Sequence, residues 1–273
     1  MDNFKKNILN KRFPFGKNWK NFVHSLDETK IKNAEDSLKT MLRLDDLKNK
    51  RFLDAGCGSG LFSLAALRLG AKEVVSFDID KDSVACAKYL KKRHGPFPQW
   101  HIKSGSALDK DFLTNLGKFD IVYSWGVLHH TGKMWDAINN ILLPVDKDGL
   151  LFISIYNDQG SITQLWRYIK WFYNISPQII QLAMSVILYL IIIMINTIKG
   201  ILHRKHPSSW YDYGSDRGMS LWNDVVDWIG GYPFETATRK ELIHFFMKKD
   251  FELLNIHKKD GSGCNEFVFR LSR

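Results

Sequence analysis

Residues Phe52 to Leu61 join an apolar run to an acid, Asp54, and then to glycines at every second position, Gly56, Gly58 and Gly60. From there the pattern reads as helix. A strand that breaks into a glycine turn and restarts as a helix commits the chain to an α/β unit. Such a junction presents backbone N–H groups and a helix N-terminus to a ligand. The spacing is Gly-x-Gly-x-Gly, and Leu61 stands where a dinucleotide fingerprint needs its third glycine.

Around this junction strands and helices alternate, the mark of a parallel sheet covered on both faces. Strands are expected at Arg51–Asp54, Glu73–Phe77, Trp100–Lys103, Phe119–Tyr123 and Leu150–Tyr156, with helices from about Ser59 to Leu69 and Lys81 to Arg93. Apolar Trp135, Ile138, Ile141 and Leu142 place a further helix after the fourth strand. The pattern resumes at Thr238-Arg239-Lys240-Glu241, which reads as a capping box. Strands at Phe251–His257 and Glu266–Leu271, joined through Asp260-Gly261-Ser262-Gly263, suit an antiparallel hairpin. The expected fold is α/β: a Rossmann-like seven-stranded sheet, mostly parallel with a C-terminal antiparallel hairpin, flanked by helices. Three parts follow: an N-terminal helical and aromatic clasp over 1–50, a main domain over 51–156 and 238–273, and a helical cap inserted at 157–237. The clasp carries Arg12-Phe13-Pro14-Phe15-Gly16-Lys17-Asn18-Trp19, too aromatic for a solvated arm.

Within the insertion, Ile179–Ile198 is uncharged and strongly apolar. It matches the roughly 20 apolar residues a membrane crossing requires. A single crossing would leave the last helix and two strands on the far side of the membrane from their own sheet, so a single span is not expected. Gln178, Gln181, Ser185, Tyr189, Asn196, Lys199 and His203 form a narrow polar stripe on the cylinder. Trp166, Arg167, Lys170, Trp171 and Tyr173 before it, and Lys199, His203, Arg204 and Lys205 after it, suit a membrane interface. A helix buried in the cap or in a homodimer, and half of a membrane-dipping hairpin, are the other readings.

The net charge of +10 and sequence pI near 9.4 raise nucleic acid or an anionic membrane as partners. No stretch forms a recognisable nucleic-acid module, and no nucleic-acid partner is expected. Cys57, Cys86 and Cys264 have neither metal-ligand spacing nor a secreted-scaffold pattern, and Met1–Lys6 lacks the apolar core of a signal peptide. The expected location is the cytoplasm, either free or peripheral at the inner face of the membrane.

Leu53–Gly60, Phe77-Asp78-Ile79-Asp80, and Phe119-Asp120-Ile121-Val122 with Gly126-Val127-Leu128-His129-His130 together resemble the class I S-adenosylmethionine-dependent methyltransferases. The resemblance covers Arg51–Tyr156 and resumes, through topology, at Thr238. Phe13–Trp19 is similar to bacterial methyltransferases related to the quinone O-methylating enzymes. Less sharply, so are Tyr156–Gly160, Gly231–Glu235 and Gly263–Glu266. That mixture is associated with methyltransferases of surface-glycan and lipid gene neighbourhoods.

The resemblance implies S-adenosylmethionine as cofactor. Gly56, Gly58 and Gly60 allow close backbone approach, Asp54 orients the turn and helps hold the ligand's ammonium, Asp78 meets the ribose hydroxyls, and Ile79 packs on adenine. Cys57 in the turn and Ser124 at the end of strand four complete the expected contacts. Ser106 stands where the family often has an adenine-binding acid. His129 and His130 follow strand four beside the expected methyl position. Imidazole, with a pKa of about 6.5, is the natural general base for a hydroxyl acceptor, and His130 is the expected working residue. Tyr156, Asn157 and Asp158, at the mouth of strand five, are secondary candidates for that work; Tyr156, Asn157 and Glu235 are candidate acceptor contacts, with Asn265 a further pocket residue. Strand four ends in Ser124-Trp125-Gly126-Val127, unlike the Asn/Asp-Pro-Pro-aromatic stretch of amino-methylating enzymes. Asp120 lies near its start, so no metal site is expected. The sequence thus points to O-methylation of a small-molecule, glycan or lipid-linked hydroxyl. The alternatives are a quinone or other aromatic-hydroxyl methyltransferase at the membrane, and a non-catalytic module that only binds the cofactor.

Overall fold

A computed structural model of the chain describes residues 13–202, 221–259, 261 and 263–272. Arg12, His203, Arg204, Lys205, Asp260 and Ser262, named above, lie outside the described residues. The chain divides into two compact units. The larger comprises Phe15–Thr163 and Phe234–Arg273. The smaller joins Phe13 and Pro14 to Gln164–Pro233.

The larger unit opens with helices α1 (Phe15–His24) and α2 (Glu28–Leu42). Asp27 caps α2 by accepting from the Lys30 N–H, and Arg43 ends it in the left-handed conformation. Then come β1 (Arg51–Ala55), α3 (Leu61–Arg68), β2 (Glu73–Asp78), α4 (Lys81–His94), β3 (Trp100–Ser104), α5 (Lys110–Asn115), β4 (Phe119–Trp125), α6 (Met134–Ile141) and β5 (Val145–Tyr156). After the smaller unit, α10 (Arg239–Met247), β6 (Phe251–His257) and β7 (Cys264–Leu271) complete it. The capping box is as the sequence predicts: Thr238 accepts from the Glu241 N–H while Glu241 accepts from the Thr238 N–H.

The seven strands run in the order β3-β2-β1-β4-β5-β7-β6. All pairs are parallel except those of β7, which is antiparallel to both neighbours. The strand order reverses between β1 and β4, the place where open α/β sheets bind ligands. Leu53, Val75, Phe77, Val122, Ile153, Phe267 and Phe269 pack with α6 and α10 residues such as Ile138, Leu242 and Phe246 in one apolar core. On strands buried by helices on both faces, such near-continuous apolar runs are what the packing demands.

Two details differ from expectation. β5 begins at Val145 rather than Leu150, and its register with β4 shifts between Phe119 and Ile121. Trp135 is 37% exposed and does not contribute to the core, which α6 meets through Met134, Ala137, Ile138 and Ile141. The segments flanking the insertion, Asn157–Thr163 and Phe234–Ala237, pack within the larger unit and meet in an Asn157–Ala237 bridge. α1 and α2 likewise belong to the larger unit.

The smaller unit holds most of α7 (Ser161–Ile175), α8 (Gln178–Leu202) and α9 (Leu221–Gly230). Trp166 and Trp228 meet edge to face at 4.0 Å. The fully buried Lys170 donates to the Trp228 carbonyl, with its ammonium 4.6 Å from the Trp228 ring centre. Asn174 donates to the Gly230 carbonyl at 2.7 Å. The Phe13 N–H donates to the Tyr232 carbonyl, and its ring fills the space in front of Gly230.

Candidate active site

At the carboxyl end of β1 the chain turns through Gly56, Gly58 and Gly60, whose φ angles are +78°, +53° and +83°. Glycine adopts these values without strain. Close packing enforces the same choice. A Cβ on Gly56 would lie 2.4 Å from the Val127 methyls, and one on Gly60 would lie 2.9 Å from Ala87 Cβ. The Gly56 and Cys57 N–H groups donate to the Phe77 carbonyl, and the Gly58 N–H donates to Asp78 Oδ2 at 3.0 Å. The turn is therefore bound to the end of β2 and interlocked with the loop after β4.

Behind the turn lies a hydrogen-bond relay that the sequence analysis did not identify. Trp100 Nε1 donates to Ser76 Oγ at 2.7 Å, Ser76 and Ser63 hydroxyls meet at 2.7 Å, and Ser63 donates to Asp54 Oδ2 at 2.5 Å. All four residues are buried. Burial pushes the Asp54 carboxyl up to about 7, although the Ser63 hydrogen bond opposes the shift. Ser63 and Ser76 interrupt apolar runs, which marks them as unusual. Their meeting with Trp100 requires β1, β2, β3 and α3 to be assembled.

Asp78 ends β2 half-buried, and loss of solvent around its carboxyl raises its pKa despite hydrogen bonds from the Asp80 and Gly58 N–H groups. Its two oxygens each accept one of these bonds, Oδ1 from Asp80 at 2.9 Å. Next to it, Ile79 leaves 58% of its surface exposed. Asp80 caps α4 and also accepts from the Gly16 N–H at 3.1 Å, docking α1 at the start of α4. Lys20 pairs with Asp82 at 2.8 Å across the same contact. α1 thereby lays the Trp19 indole 3.0 Å from where a Gly58 Cβ would sit, and Phe15 5.0 Å from the His130 ring.

Gly126, with φ +73°, turns the chain out of β4 into a single 3₁₀ turn, Leu128–His130. His129 is buried and its ring lies 4.5 Å from His130 and 4.2 Å from Tyr156. His130 is half-buried, 5.6 Å from Tyr156. Phe234 closes the cluster 5.1 Å from Tyr156. Phe15, Phe234 and the Trp19 contact were not among the expected site residues, although the unusual aromatic density of Phe13–Trp19 was a visible signal.

Other expected residues have structural roles. Ser124 is fully buried and donates to the Ala55 carbonyl at 3.0 Å, so its hydroxyl ties β4 to β1 instead of facing a ligand. Cys57 is buried, and burial raises its thiol well above the ordinary range. Ser106 accepts from the Leu108 N–H in a local turn. The Glu235 carboxylate accepts from the Met134 N–H at the start of α6, and its own N–H donates to the His129 carbonyl. Asn157 donates its N–H to the Gly263 carbonyl. Asp158 accepts from Thr236 and from the Gly160 N–H. Asn265 is buried and accepts from the Lys259 N–H. Asp120 accepts from the Arg51 N–H at the opposite end of the sheet.

The methyltransferase-domain family matches residues 26–183, more than half of the chain. The chain is 30% identical over 127 residues to the ribosomal protein L11 methyltransferase of Tolumonas auensis, a match spanning 46% of this chain and 41% of that protein. It is 27% identical over 139 residues to the ubiquinone biosynthesis O-methyltransferase of Pelagibacter ubique, spanning 50% of this chain and 55% of that protein. The chain thus covers about half the length of these relatives or less. Among solved structures, magnesium protoporphyrin IX methyltransferase from Synechocystis PCC 6803, with bound S-adenosylhomocysteine, superposes with a TM-score of 0.52 at 15% identity. That match covers 89% of this chain and 83% of the other. A putative methyltransferase from Listeria monocytogenes gives 0.52 at 13% identity, covering 89% and 99%. At such identities the structural likeness establishes the fold alone. Family membership rests on the sequence match, and the chain belongs to the class I S-adenosylmethionine-dependent methyltransferases.

Proposed function

We propose that the protein is an S-adenosylmethionine-dependent O-methyltransferase acting on a small-molecule, glycan or lipid-linked hydroxyl. The observation that carries this reading is the placement of His129, His130 and Tyr156 at the carboxyl ends of β4 and β5, with Val127 of the same loop against Gly56 of the glycine turn. The residues present fit the cofactor. The turn has no room for side chains at Gly56 and Gly60, Asp78 offers carboxylate oxygens of the kind a ribose diol donates to, and Ile79 offers an exposed apolar surface of the kind adenine covers. When bound, the cofactor supplies a methyl group activated by attachment to a positively charged sulfur.

The remaining work falls to the chain. An O-methyl transfer needs an acceptor held in line and relieved of its proton, and positioning alone contributes effective molarities of about 10⁵ M or more. In this reading a ring nitrogen of His130 takes the acceptor proton. His129 and Tyr156 fix the orientation of that imidazole by ring packing. Trp19 and Phe15 exclude water from the turn and from His130. Within the larger unit, Phe234 packs its ring on Tyr156 beside the two histidines, which supports a part for both rings in holding the acceptor.

His130→Ala is expected to leave S-adenosylhomocysteine binding intact and to reduce methyl transfer about 10²-fold. Unaltered turnover removes His130 from the mechanism. The acceptor class is tested by incubating cell extract with the enzyme and tritiated methyl donor, then fractionating. Label in a small-molecule, lipid or glycan fraction is expected, whereas label confined to protein or RNA overturns the O-methylation reading.

A further inference from the structure

α8 presents its polar side to its own unit and its apolar side outward, the reverse of a helix on a water-soluble protein. On the inner side, Ser185 is buried and donates to the Gln181 carbonyl and, at 3.3 Å, to the Tyr173 hydroxyl. Gln181 donates to the Ser176 carbonyl, Tyr189 packs edge to face on Trp222 at 5.7 Å, and Gly200 is buried. With 3.6 residues per turn these positions make one stripe. Outward lie Ile179, Leu182, Val186, Ile187, Leu190, Ile191, Met194, Ile195, Ile198 and Ile201, exposed by between 38% and 78%. They span more than half of the circumference. Leu165, Tyr168 and Phe172 of α7 are exposed as well.

Water-soluble surfaces rarely carry apolar areas of this extent. We infer that the outward arc of α8 is a lipid-facing surface, by which the protein seats in one leaflet of an anionic bilayer. Three observations favour lipid over a second copy of the chain. A partner helix covers a stripe of about 100°, whereas fluid hydrocarbon covers the whole of a convex arc. Residues 161–202 carry no acid, and with Lys170 buried against Trp228 their outer charges are Arg167 and Lys199, on a chain of net charge +10, which suits anionic headgroups. No charge interrupts the arc before Lys199, over a helix about 37 Å long. Crossing is excluded by connectivity. The chain leaves the larger unit at Thr163 and rejoins it at Phe234, and among the described residues α8 is the one helix long and apolar enough to span. One span cannot return the chain to the side it left. The inference goes beyond the proposed methylation and does not depend on it.

The test is flotation of the purified full-length protein with phosphatidylcholine vesicles, with and without phosphatidylglycerol. No donor or acceptor is needed, so failure here is distinct from failure of the methyltransferase reading. The protein is expected to float, more completely with phosphatidylglycerol. A variant with Ile187→Glu, Leu190→Glu and Met194→Glu is expected to lose vesicle association about 100-fold while keeping its far-ultraviolet circular dichroism. Failure of the unmodified protein to float overturns the inference, as does equal flotation of the variant. A nitroxide on Ile191→Cys gives a second measurement independent of that variant. On adding vesicles it is expected to gain oxygen collisions and lose collisions with a water-soluble nickel complex. A label already shielded without vesicles, in a dimer that the triple variant dissociates, assigns the face to a second copy and overturns the proposal.

Discussion

Below about pH 7 the buried Asp54 carboxyl holds a proton in the folded protein, whereas in the unfolded chain it releases that proton near pH 4. Between those values the folded state binds the extra proton, so stability falls as pH rises through 7. Asp54→Asn removes this contribution, which has a ceiling of roughly 4 kcal/mol. The decline in urea midpoint of the unliganded protein from pH 5 to pH 8 is therefore expected to be shallower in the variant, the difference arising over about 2 pH units below 7. Some slope remains, because burial raises Asp78 too. Asp78→Asn keeps an acceptor for the Gly58 N–H but loses the charge, and S-adenosylhomocysteine affinity measured by calorimetry is expected to fall about 10- to 100-fold. Asp54 and Asp78 were legible because an acid beside a glycine turn and an acid ending the next strand are both local patterns. The relay from Trp100 to Asp54 was not, since its members belong to four elements. The partners of Ser124 and Glu235 were hidden for a related reason: the Ala55 carbonyl and the Met134 N–H lie on other elements of the sheet and its helices.

At the scale of elements, the junction of β1 with α3 depends on two loops meshing. Gly56→Ala imposes a left-handed alanine and drives its methyl into Val127. A loss of about 2–4 kcal/mol in denaturant unfolding is expected, of which Val127→Ala in the same chain restores only the part due to the two γ-methyls, since the Val127 Cβ itself would lie 2.9 Å away. The strands and their order of appearance were readable because the apolar runs are short and separated by helical periods. The early start of β5 was hidden by Asp146-Lys147-Asp148, which looks like a loop and contains a left-handed Asp148. α8 was found by its hydropathy, and its polar stripe was identified, but which side faced outward depends on what Tyr173, Ser176 and Trp222 cover.

For the whole molecule, division into two units predicts that a ligand of the larger one stabilises it selectively. S-adenosylhomocysteine at about 100 times its dissociation constant adds roughly 2.7 kcal/mol to whatever opening it opposes. Hydrogen exchange monitored by mass spectrometry is expected to slow in peptides from β1 to α4 and to stay unchanged in α8. Uniform slowing throughout would mean that the units open together. The order of the sheet also bears on biosynthesis. β7 is an interior strand, bridging β5 and β6, and it is the last of the seven to be made. Until residue 271 has cleared the ribosome, β5 presents an open edge and β6 has no place in the sheet. α8, whose outward face is apolar, has by then long emerged. A nascent chain of this protein therefore displays a greasy helix and an unpaired strand together, which makes translation the stage at which it most needs a chaperone or a lipid surface.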